Sequence, residues 1–206
     1  MKYIWINPVT ESMYDPEILS AFLQKNGYET VAVSTDWSNM VKEKYQAAVA
    51  SASLPVVDMR CPKILGLLKK IGILSSVTIP EIEPILIHCG REISQREDLC
   101  GTEKIITTPC KALADMGNAL CLPETTFLPW NEFLCITGGT LAAVPPKKSP
   151  IPPGFFEGMG FSCRSITGEK EIRELFQNHA VETDLLELLF CKDGCHNGDG
   201  ITGCAD

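Results

Sequence analysis

Apolar and polar positions alternate along this chain in two rhythms, short β-rich runs and longer windows with helical spacing. KYIWI (2–6) reads as a strand. Asp15-Pro16 then offers an N-cap followed by proline at the first helical position. Ile18, Leu19, Phe22 and Leu23 share one helical face, and Gly27 stands where that helix should stop. TVAV (30–33) and AAVA (47–50) are further strand candidates around a helix near 37–46. LPVVDM (54–59) reads as a strand running into Cys61-Pro62. KILGLLKKIG follows with helical spacing, two lysines in the last turn and Gly72 after it.

The second half repeats the theme. ILIHC (85–89) is strand-like, and KIITT (104–108) leads into Pro109-Cys110 and a helical stretch ending near Gly117. ALCL (119–122) is a weaker strand candidate. The segment VPPKKSPIPPG (144–154) holds five of the 14 prolines and reads as a linker or surface loop. Beyond it FSCRSI is strand-like, EKEIRELFQN is helical, and DLLELLF (184–190) feeds CKDGCHNGDGITGC. Alternating strands and helices predict an α/β fold of two small lobes with mainly parallel sheets. At 206 residues the chain reads as one compact domain, with lobes 1–90 and 91–206.

Cysteine usage changes this picture. Ten cysteines in 206 residues is about 5%, below the roughly 8–10% of a disulfide-stapled secreted scaffold. The first residues lack a signal-peptide apolar core, and no run approaches the ~20 apolar residues of a spanning helix. The chain therefore reads as cytoplasmic, where thiols stay reduced and abundant cysteine points to metal or redox chemistry. A net charge of −8 argues against gripping nucleic acid or an anionic membrane surface.

Cys61, Cys110 and Cys191 each follow a strand-like run, the position where parallel α/β sheets build their sites. Cys61 and Cys110 also precede helices, whose N-termini favour the thiolate. Cys191 and Cys195 form C-x3-C, and the glycines after them admit close backbone approach to a bound group. Together Cys61, Cys110, Cys191 and Cys195 supply the four thiolates a [4Fe–4S] cluster needs. Several alternatives stay open. Any one of these cysteines can be a small buried hydrophobe. Structural zinc lacks its C-x2-C knuckles. A Cys–His hydrolase would have to use His88 beside Cys89 or His196 beside Cys195, and sequence neighbours rarely form a nucleophile–base pair. A radical enzyme's C-x3-C-x2-C would require cysteine where Gly198 stands.

At these motifs the chain resembles the catalytic domain of the iron-only ([FeFe]) hydrogenases, in order over roughly residues 15–200. FLQKNGYETVAVST looks like the helix, glycine and strand ahead of that family's first cluster motif. LPVVDMRCPKI is similar to its T-S-C-C-P-x-W loop, and ITTPCKALADM to its M-P-C-x-x-K-x-x-E loop. FLCITGGTLAAV looks like F-G-x-T-G-G-V-M-E-A-A, and LELLFCKDGCHNGDG like V-E-V-M-A-C-x-x-G-C-x-x-G-G-G. The resemblance implies a cluster between two lobes, held by Cys61, Cys110, Cys191 and Cys195, with Cys195 bridging to a two-iron subsite.

The departures fall on that subsite. Arg60 replaces the proton-transfer cysteine, Leu113 the cyanide-binding lysine, Met116 the glutamate after it, and Asp199 a loop glycine. The resemblance thus implies a [4Fe–4S] protein of anaerobic electron transfer or redox sensing, serving a redox partner protein, without hydrogen catalysis. The alternative is a divergent hydrogenase or other oxidoreductase with an open iron subsite. An interaction module whose cysteines only pack is a third reading. Cys89, Cys100, Cys121, Cys135, Cys163 and Cys204 have no assigned role beyond a conceivable second cluster.

Overall fold

The computed structural model describes residues 2–144, 154–178, 181–192 and Cys195. Most of the proline-rich stretch, His179, the glycine-rich run after Cys195 (with His196 and Asp199) and Cys204 lie outside the described residues. In chain order the elements are β1 (Lys2–Trp5), α1 (Pro8–Glu11), α2 (Pro16–Lys25), β2 (Tyr28–Thr30), α3 (Trp37–Ser51), β3 (Val56–Val57), α4 (Lys63–Ile71) and α5 (Ile85–Ser94). There follow β4 (Glu103–Thr108), α6 (Lys111–Asn118), β5 (Thr125–Pro129), α7 (Trp130–Thr137), β6 (Cys163–Thr167), α8 (Glu169–Asn178) and β7 (Leu185–Leu189). The fold is α/β with two wholly parallel sheets. The chain divides into two compact units, one from Met1–Thr35 and Leu86–Ile151 together with Cys195, the other from Asp36–Ile85 and Pro152–Gly194. Each unit draws on both sides of residue 90.

The first unit carries the sheet β2-β1-β4-β5. Its entry follows the local rules. Asp15 accepts hydrogen bonds from the Glu17 and Ile18 amides at 2.9 and 3.1 Å, Pro16 starts α2, and Gly27 turns the chain at φ 79°. β1 aligns Lys2 with both Tyr28 of β2 and Glu103 of β4. The chain leaves β1 towards β2 on one side and continues through β4 to β5 on the other. The reversal lies between β1 and β4, the switch point where such sheets open a crevice. Ile4, Met13, Leu19, Leu23, Ile105, Trp130 and Phe133 close the core, where Trp130 Nε1 donates to the Tyr14 hydroxyl at 2.9 Å.

The second unit carries the sheet β3-β7-β6. β7 is its central strand and every one of its residues is buried. Helix α4 ends as its sequence predicts, on Gly72 at φ 76°. Ile64, Leu67 and Leu68 of α4 pack with Ile172 and Leu175 of α8 and with Leu186 and Leu188 of β7. A second cluster joins Val41, Tyr45, Val56, Phe156 and Leu185.

Four sequence expectations need correction. ILIHC is not a strand but the first turns of α5, where Leu86, Ile87, His88, Cys89, Gly90 and Ile93 are all buried. A helix buried on nearly every side loses its polar face, so its apolar run mimics a buried strand. AAVA continues α3, as suits its alanines. Of TVAV only Thr30 belongs to β2. ALCL is a turn in which Cys121 adopts φ 50°. The strand of that region comes later, as β5.

Candidate functional site

Three of the four singled-out cysteines stand just past the carboxyl ends of parallel strands. Cys61 and Cys191 follow β3 and β7, which are hydrogen-bonded neighbours with Val56 opposite Leu185 and Val57 opposite Leu186. Their loops touch. Lys63 Nζ lies 5.2 Å above the ring of Phe190, and Cys61 and Phe190 pack on the same apolar cluster. Cys61 also stands directly before Pro62, the N-cap residue of α4, its carbonyl accepting from the Ile64 amide at 3.1 Å.

Cys110 belongs to the first unit. It is the N-cap residue of α6, extended at φ −155°, and its carbonyl accepts from Thr108 Oγ1 at 3.0 Å and from the Ala114 amide at 3.2 Å. Beside it, the buried Asn7 amide donates to Thr107 Oγ1 at 2.8 Å and ties the ends of β1 and β4 together at the switch point. Cys61, Cys110, Cys191 and Cys195 are each partly exposed and none is in a disulfide.

The remaining cysteines differ. Cys89 is buried on α5, and burial pushes its thiol up to about 12. Burial, with the charge of Glu187, raises Cys163 on β6 to about 11. Cys100, Cys121 and Cys135 are exposed. His88 is buried within α5.

Arg60, directly before Cys61, has an occupation that sequence reasoning did not assign. Its backbone amide donates to Asp58 Oδ1 at 3.0 Å and its Nε donates to Asp58 Oδ2 at 2.8 Å. Its second arm donates to Glu187 in the middle of β7. Glu187 also accepts from Ser165 Oγ of β6, from the Gly154 amide at 2.8 Å and from the Phe155 amide at 3.3 Å. The guanidinium carbon stands 4.2 Å from the Phe155 ring centroid and 4.9 Å from that of Phe156.

Asp58 is 0% exposed and Glu187 1%. Burial raises the Asp58 carboxyl, only partly offset by Arg60. Burial also works to raise Glu187, but Arg60 and the donors from Ser165 and Gly154 outweigh it and hold this carboxyl below its ordinary value. The signal was present in the sequence as a lone glutamate inside LLELL. A charge on a fully buried strand requires a counter-charge, and Arg60 is the cation of the neighbouring strand end.

The donor chemistry suits a thiolate-bound group, with partly exposed thiols at strand ends and a helix start. Among the described residues, however, no three or more Cys, His, Asp or Glu side chains are grouped to hold a metal ion. The surroundings of a hydrogenase two-iron subsite do not fit. Arg60 is committed to two carboxylates, and Leu113, 6% exposed, presents no donor from α6. No protein-family model, curated protein or solved structure matches the chain. Among the described residues no helix is long and apolar enough to cross a membrane.

Proposed function

We propose that this chain is a cytoplasmic redox protein, derived from the iron-only hydrogenase fold, that holds a [4Fe–4S] cluster through Cys61, Cys110, Cys191 and Cys195. The observation that supports the reading best is topological. Cys61 and Cys191 follow neighbouring parallel strands, and Cys110 caps a helix beside the switch point of the other sheet. When bound, such a cluster supplies one-electron chemistry. The protein's own part would be to present the four sulfur donors, to place amide donors of α6 near Cys110 and to keep apolar walls around Cys61.

The protein would act in electron transfer or redox sensing with a partner protein, and without hydrogen catalysis. Hydrogen chemistry needs a proton carrier next to the cluster. A guanidinium retains its proton at any physiological pH, and although burial works to lower Arg60, the Asp58 and Glu187 carboxylates outweigh it and raise Arg60 further.

Single serine replacements test the ligand set. In protein reconstituted without oxygen, Cys61→Ser, Cys110→Ser, Cys191→Ser and Cys195→Ser each lose the broad absorption near 400 nm. Cys135→Ser and Cys121→Ser keep it. Equal pigment in all six variants would overturn the assignment.

A further inference from the structure

We infer that Arg60 is the positioning residue for the Cys61 loop, fastening it through Asp58 and Glu187 to β7, the strand that leads to Cys191. The inference rests on the iron–sulfur reading for its purpose, but its geometry stands within the second unit alone. β3 is only two residues long, so its ladder gives little hold on Asp58, Met59 and Arg60, which lead to Cys61. The Asp58 amide donates to the Leu186 carbonyl at 2.8 Å, the last ladder bond before the loop leaves the sheet. From there the hold passes to side chains. Tyr45, fully buried, accepts from the Met59 amide at 2.7 Å, and Asp58 accepts from the Arg60 amide. Successive loop amides are thus fixed by buried side chains.

Arg60 then carries the loop across to β7. Its planar fork spans two carboxylates at once, which a lysine ammonium cannot reproduce. Glu187 is in turn fixed by β6 through Ser165 and by the re-entering chain through Gly154 and Phe155. The loop bearing Cys61 and the strand leading to Cys191 therefore share one buried ionic joint. Groups that orient metal ligands without touching the metal set affinity by factors of about 10–100.

The test uses the full chain in two states. In iron-free protein, hydrogen exchange of the Met59, Arg60 and Cys61 amides reads the joint directly. Arg60→Lys, which keeps a charge and the fold, should speed exchange at these amides about tenfold. Arg60→Met combined with Asp58→Asn, which removes a charge of each sign, should do the same. Ser165→Ala touches the same network away from the loop and should leave these amides unchanged.

In reconstituted protein, Arg60→Lys should release iron to a chelator about tenfold faster and move the reduction potential, while Ser165→Ala should do neither. Unchanged loop exchange in both Arg60 variants overturns the inference, whatever the iron does. Equal loosening by Ser165→Ala also overturns it, because it would show a merely global effect. A wild-type chain that takes up no iron defeats the iron–sulfur reading instead, and leaves the exchange result to decide the role of Arg60.

Discussion

Burial sorts the cysteines of this chain before any cofactor is considered. Cys89 is 2% exposed and its thiol is pushed up to about 12, so almost none of it is thiolate at pH 8. Cys100, Cys121 and Cys135 are open to solvent. Brief alkylation of the native protein at pH 8, read by peptide mass, should label these three and spare Cys89. The buried ion pair gives a second prediction. Glu187 is held below its ordinary value of 4.5, so its ionised form stabilises the fold above that value, and the contribution is lost as pH falls below it. Glu187→Gln should cost about 2–3 kcal/mol at neutral pH, the scale of hydrogen bonds to a charged group. Urea titrations from pH 7 to pH 3 should show a gap between wild type and variant that narrows at the acid end.

Among the elements, β5 shows how tightly helices are drawn onto the first sheet. Phe127, 1% exposed, sits so close to α5 and α6 that a Cβ at Gly90 or Gly117 would run into its ring. Asn118 at the end of α6 pairs its carboxamide with Phe127, accepting from the amide and donating to the carbonyl, both at 2.8 Å. This satisfies backbone groups of a strand that has a neighbour on one side only. Gly117→Ala should therefore destabilise by about 1–3 kcal/mol through overpacking, although alanine favours a helix. A chemical melt of Gly117→Ala with and without Phe127→Leu would show the loss and its relief.

These contacts also mark what the sequence could and could not tell. α2 was legible because a cap, a periodic face and a terminal glycine agree, and α4 because a periodic face, two lysines in the last turn and Gly72 agree. α5 was misread because its faces are nearly all buried, which erases the periodicity. β5 escaped notice because Pro123 and Pro129 bracket it, and tertiary packing on Phe127 rather than local pattern fixes it. At the candidate site, the strand-end placement of Cys61, Cys110 and Cys191 was legible from pattern alone. The Asp58–Arg60–Glu187 joint was not, because its partners are 127 residues apart and meet only through the pairing of β3 with β7.

For the whole molecule, the chain path matters most. The chain passes between its two units at Thr35–Asp36 and again at Ile85–Leu86, so each sheet is assembled from distant segments. That path brings Cys61 and Cys191, far apart in sequence, to the ends of neighbouring strands of one sheet. The central claim is that Cys61, Cys110, Cys191 and Cys195 hold one iron–sulfur cluster. Its most direct test is a count of iron and acid-labile sulfide in the full chain reconstituted without oxygen, taken with the EPR spectrum of the reduced protein. The account predicts about four irons and four sulfides per chain, with the signal of a reduced cubane. A folded, colourless protein without iron or sulfide would contradict it.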